Sequence, residues 1–81
     1  MEIRFSQSAR KHRIGKQRAL FIIANSDAVE LVSDGVKPHR LLWQGADERG
    51  LELEVIGVRT PSGVLIIHVM PQIFRRGRGR L

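Results

Sequence analysis

Cysteine is absent from the 81 residues, so neither a disulfide framework nor a thiolate metal site is available, and nothing indicates an oxidising compartment. Aromatic residues amount to only 5%, too few for a module that stacks successive bases on rings. The longest apolar runs, Ala19 to Ala24 and Val64 to Ile67, fall far short of the roughly 20 residues that cross a bilayer. The opening MEIRFSQS lacks the order of a signal peptide. A cytoplasmic protein with no membrane partner is expected. There is no GxxxxGK[ST] and no strand-glycine-helix fingerprint, which leaves nucleotide binding unsupported. The histidines at 12, 39 and 68 show no recurring ligand spacing, so no metal and no cofactor is expected.

Acidic residues are missing from one end. Residues 1 to 26 carry six basic residues against Glu2, residues 27 to 54 three against seven acids, and residues 55 to 81 five against none. With a net charge of +6, two basic ends flank an acidic middle. That distribution suits contact with a polyanion, in which phosphate contacts set affinity; the alternative is the basic balance common among small soluble domains.

The pattern that is present is clearest from Leu51 to Pro71. Leu51, Leu53 and Val55 alternate with Glu52 and Glu54, and Thr60-Pro61-Ser62-Gly63 supplies a turn before a second β-branched run, which reads as a hairpin. If Arg59 pairs with Val64, then Val58 faces Leu65, Val55 faces His68, Glu54 faces Val69 and Leu53 faces Met70. One face then carries Leu51, Leu53, Val55, Gly57, Val64, Ile66, His68 and Met70, and is expected to be the core. The other carries Glu52 and Glu54 and, towards the turn, Ile56, Val58, Leu65 and Ile67. An apolar patch of that kind is an interaction surface in the making.

Elsewhere, Glu2 to Phe5 reads as an edge strand. Ser6 or Ser8 caps a short helical stretch, Ala9 to Arg13, broken at Ile14-Gly15. A second helix is expected from Lys16 to about Asn25, although LFIIA is apolar on all sides and suits a buried strand as well. Ala28 to Ser33 and His39 to Gln44 read as strands, the latter with Leu41 and Trp43 pointing one way, and Asp47 to Gly50 forms a turn. The expected architecture is α+β, β-α-α-β-β-β, with helices packed on one face of an antiparallel sheet. Residues 1–74 make a single small domain with a thin core, and 75–81 a basic Arg/Gly tail with no face to bury.

Three segments resemble the BrnT-like toxins and related short domains of the RelE/ParE toxin superfamily. Ser8-Ala9-Arg10-Lys11-His12 with Ile14 resembles the opening "SARKHG-I" motif of that group. Arg49 to Val55 resembles its glycine, leucine, acid, valine strand, and Val64 to Pro71 its closing "VIHAMP" strand. Arg13 stands where the opening motif usually has Gly, and the Arg/Gly tail replaces the C-terminal helix of many members. The resemblance implies a sheet-plus-helices ribonuclease fold, metal-independent RNA cleavage, and a cognate antitoxin protein that is acidic or carries a DNA-binding domain.

Metal-free RNA cleavage needs a base at the 2′-hydroxyl, an acid at the leaving 5′-oxygen, and cations for the phosphorane. His12 is the leading acid or base, set among Arg10, Lys11, Arg13 and Lys16; the alternative is a solvated basic helix with an incidental histidine. Arg10, Lys11, Lys16, Arg18, Arg75 and Arg76 are the candidate RNA contacts, and Arg13 joins His12 as a candidate catalytic group. His68 reads by default as a satisfied core or core-edge histidine, and shares acid and base roles with His12 only if the fold brings it to the sheet edge beside His12. Glu52 and Glu54 are candidate bases or the polar half of a strand. Trp43 reads as core. The rival to a toxin is a non-catalytic nucleic-acid- or protein-binding domain, or a homodimer, that covers Ile56, Val58, Leu65 and Ile67.

Overall fold

The computed structural model describes residues 2–10, 14–31 and 40–72. The expectations for Lys11, His12, Arg13, His39, Arg75, Arg76 and the 75–81 tail therefore lie outside the described residues. Five strands alternate with little else: β1 (Glu2–Phe5), a 3-10 turn (Ser8–Arg10), α1 (Lys16–Asn25), β2 (Val29–Leu31), β3 (Arg40–Ala46), β4 (Glu52–Thr60) and β5 (Gly63–Pro71). They form one sheet in the order β1-β5-β4-β3-β2.

The class is α+β, but the sheet is mixed where an antiparallel one was expected. β2, β3, β4 and β5 are antiparallel neighbours, whereas β1 runs parallel to β5 with Ile3 opposite Val64 and Phe5 opposite Ile66. A parallel partner cannot be reached through a tight turn; here β1 and β5 stand at opposite ends of the sequence of strands. Two helices were expected and the described residues hold one. Of the expected first helix, Ala9 and Arg10 lie in a 3-10 turn, Ser8–Arg10, beside which Ser6 and Ser8 spend their hydroxyls on turn and strand atoms, and Lys11 to Arg13 lie outside the described residues.

LFIIA resolves as helix. Its Ala19 and Ile22 are buried against the sheet, and its end is closed by side chains: Asn25 Nδ2 donates to Phe21 O at 2.8 Å, and Ser26 Oγ to Ile22 O at 2.5 Å. These bonds take up carbonyls that a helix end leaves without partners. The helix lies on the face that carries Leu41, Trp43, Leu53, Val55, Val64, Ile66 and Val69, which with Ala9 form the core; Ile3, Phe5, Ile14, Phe21 and Ile23 border it. Trp43 is core, as expected, while Leu51 lies exposed before the start of β4.

The hairpin turn sets the expected register at its own end: Thr60 pairs with Gly63, Arg59 with Val64 and Val58 with Leu65. Gly63 is required there by crowding, since a Cβ would stand 1.9 Å from the Glu2 carbonyl oxygen. Further along, Gly57 pairs with Ile66 but Ile56 pairs with His68, so Ile67 is an extra residue in β5, a β-bulge. Beyond it every expected pair moves by one. Val55 faces Val69, Glu54 faces Met70 and Leu53 faces Pro71. The bulge exchanges His68 for Val69 on the core face, and His68, half-buried, stands on the face opposite to the one expected. The physical reason is the cost of burying an imidazole among Leu53, Val55 and Ile66 without partners, against a gain for valine.

Candidate functional site

The pairings define the sheet face turned away from α1. Across it run three rows: Arg4, Leu65, Val58, Arg40 and Leu31; then His68, Ile56, Leu42 and Val29; then Met70, Glu54 and Gln44. The expected patch is therefore partly assembled. Ile56, Val58 and Leu65 share this face and are each half-buried, and Leu42 joins them. Ile67 departs from the expectation, because it is the bulged residue and no longer alternates with its neighbours.

At one margin of this patch, His68 Nε2 and Glu54 Oε2 lie 3.2 Å apart, with the two side chains 30% and 3% exposed. They are diagonal neighbours, a separation that long side chains bridge. The approach is electrostatic and falls short of an aligned hydrogen bond, and it becomes an ion pair when the imidazole is protonated. A nearly buried carboxylate against a reachable imidazole holds the ring in one orientation and stabilises the charge it gains on taking a proton. Glu54, a candidate base, is nearly buried, and of the two side chains the imidazole is the more exposed.

The strand that carries His68 is held from the other side by the 3-10 turn. Ser6 N donates to Ile66 O at 2.9 Å, and Ser8 Oγ donates to Ile67 O at 2.9 Å. Ala9, at the middle of the turn, is buried in the core. The segment that opens with Ser8 and leads to His12 thus starts on the backbone next to His68. Nothing in its composition distinguished this role for Ser8 from that of an ordinary helix cap.

A second concavity, of about 540 Å³, opens at the start of α1 and is lined by Gly15, Lys16, Gln17, Arg18, Asp47, Glu48 and Arg49. The helix begins at Gly15 with no side-chain cap and no acid in its first turn, an end that favours anions. Arg18 was expected on RNA, but its guanidinium is engaged: Nε lies 2.7 Å and Nη2 2.5 Å from Asp47 Oδ2. Asp47 also accepts from Arg49 N at 2.8 Å and Leu51 N at 2.9 Å, with its side chain 1% exposed. Burial pushes the Asp47 carboxyl up, but the Arg18 and backbone hydrogen bonds and the Arg18 charge outweigh it and hold the pKa below its ordinary value.

Lys16 is exposed, with Nζ 5.7 Å from the centre of the Phe5 ring, and Arg10 is exposed at the end of the 3-10 turn. Sequence reasoning missed Asp47 and Arg49 here. A signal for Asp47 was present in Asp47-Glu48-Arg49-Gly50, where an aspartate two residues before a turn amide accepts from it. Among the described residues no group of three histidine or acidic side chains could hold a metal ion, and no helix is long and apolar enough to cross a membrane.

Compared with family models, with curated proteins and with solved structures, the chain matches none of them, and a functional reading of the site rests on its own residues.

Proposed function

We propose that this protein is a metal-independent RNA endonuclease of the toxin type, in which His68, supported by Glu54, takes the proton of the attacking 2′-hydroxyl. The observation that carries the reading is the 3.2 Å approach of His68 Nε2 to Glu54 Oε2 on an accessible sheet face. The 2′-oxygen attacks the adjacent phosphorus, the bond from phosphorus to the 5′-oxygen breaks, and that oxygen takes a proton from a general acid. The products are a 2′,3′-cyclic phosphate and a 5′-hydroxyl, and no water or metal enters the step. His12 is the proposed acid. It follows Ser8 by four residues, a span of at most about 14 Å, and Ser8 is bonded to the residue before His68.

Arg10, Lys11, Lys16, Arg75 and Arg76 supply phosphate contacts in this reading, and Arg13 supplies charge at the phosphorane. Positioned acid and base groups each contribute about 10²- to 10⁴-fold. The test is cleavage of a generic RNA in EDTA, with the ends of the products identified. A cyclic phosphate formed by the folded wild type, and lost in His68→Ala and in His12→Ala, supports the proposal. Folded wild type that leaves RNA intact, alone and with ribosomes, overturns it.

A second reading has its own observation. Leu42, Ile56, Val58 and Leu65 are half-buried apolar groups beside His68, a surface suited to a covering protein. In the toxin reading that protein is a cognate antitoxin that closes off His68. In a non-catalytic domain it is the functional partner or a second copy, and RNA is bound without being cut.

A further inference from the structure

We infer that Ser8 is the positioning residue of this site: its hydroxyl, by holding the carbonyl of the bulged Ile67, keeps His68 on the face of Glu54. The inference builds on the proposed role of His68 as base. Successive carbonyls of a strand point to opposite neighbours. In β5, however, Ile66 O accepts from Ser6 N and Ile67 O accepts from Ser8 Oγ, both at 2.9 Å. Two consecutive carbonyls are thus turned towards the β1 side. The peptide after Ile67 has rotated away from β4, where the pairing passes from Ile66 opposite Gly57 to His68 opposite Ile56.

A carbonyl turned out of its ladder is open to another donor, and the Ser8 hydroxyl meets it at 2.9 Å. The turn is built to place that hydroxyl. Ser6 Oγ lies 2.9 Å from Ser8 Oγ and accepts from Ala9 N at 3.3 Å, while Ala9 is anchored in the core. The next peptide unit leads directly into His68. Rotation about that unit swings the imidazole relative to Glu54, whose strand is held on its other side by the pairing of Glu54 with Gln44. Ser8 acts through His68 and touches no substrate.

The experiment uses the full chain with Ser8→Ala, Ser8→Thr and Glu54→Gln, and reads the His68 imidazole resonances, the cross-strand contact between Ile56 and His68, and RNA cleavage. In Ser8→Ala the His68 signals are expected to move towards those of Glu54→Gln. kcat falls about fivefold, the scale of one hydrogen bond, with KM unchanged, and Ser8→Thr restores both. A folded Ser8→Ala with the His68 signals of the wild type overturns the inference. So does a Ser8→Thr that behaves like Ser8→Ala, which would make shape, not the hydroxyl, the cause. Should Ser8→Ala fail to fold, Ser8→Cys under reducing conditions is read in the same way. If the wild type cleaves no RNA, the proposed function fails while the resonances still decide the role of Ser8.

Discussion

His68 and Glu54 meet at 3.2 Å on the face away from the helix, although an unbroken register from the hairpin turn would place them on opposite faces. One extra residue, Ile67, makes the difference. The pair combines a nearly buried carboxylate with a partly exposed imidazole, and its consequences are open to measurement.

His68→Ala is expected to lower kcat for RNA cleavage by about 10²- to 10³-fold, the range of a positioned general base. Glu54→Gln keeps the shape of the side chain and removes its charge, so a smaller loss, about tenfold, is expected. Single-turnover cleavage with each variant, after checking the fold by circular dichroism, measures both.

Asp47 ties the start of α1 to the turn between β3 and β4 through Arg18 and two backbone amides. Its folded pKa lies below the ordinary 3.8, so its ionised form stabilises the fold. The sign follows: this contribution is fully present above the unfolded value and is lost as pH falls through the folded one. Asp47→Asn should therefore lower the melting temperature at neutral pH, and its deficit should shrink below about pH 4. A pH series of thermal melts on both proteins checks this.

Gly63 leaves no room for a side chain beside Glu2. Gly63→Ala is expected to cost up to about 3 kcal/mol as β1 is pushed from β5. Urea titration gives the size of the loss, and hydrogen exchange should show it at the amides of Glu2 and Ser6, which donate to Ser62 O and Ile66 O.

RNA binding should weaken with salt as released counterions require. Arg10→Ala and Lys16→Ala should each reduce the slope of log K against log salt by about 0.7 for single-stranded RNA. Arg18→Ala should leave the slope unchanged and lower the melting temperature instead, because its guanidinium is already committed to Asp47. Fluorescence anisotropy over a salt series separates the two classes.

Much of the local structure was legible. β1 at Glu2–Phe5 and α1 at Lys16–Asn25 have the expected limits, and Leu41 and Trp43 face the core while Leu42 faces away. The turn chemistry of Thr60 to Gly63 set the pairing of Arg59 with Val64. These features depend on residues close in sequence, where alternation and turn preference act directly. The site was less legible. Arg18 carried the charge of an RNA contact, but its partner Asp47 lies 29 residues away, and no nearby residue announces it.

By itself, then, the order of residues determined the hairpin strands, the closing turn and the basic ends, because each is a matter of local periodicity or of summed charge, while the choice of helix for LFIIA fell to its packing on the sheet. Tertiary structure decided the parallel union of β1 with β5, the bulge at Ile67 and the face on which His68 stands. Alternation by two cannot foresee a single inserted residue, since VLIIHVMP is apolar enough to suit either register. The core accepts Val69 among Leu53, Val55 and Ile66 more readily than an imidazole, and the carbonyl of the extra residue meets the hydroxyl of Ser8, 59 residues away.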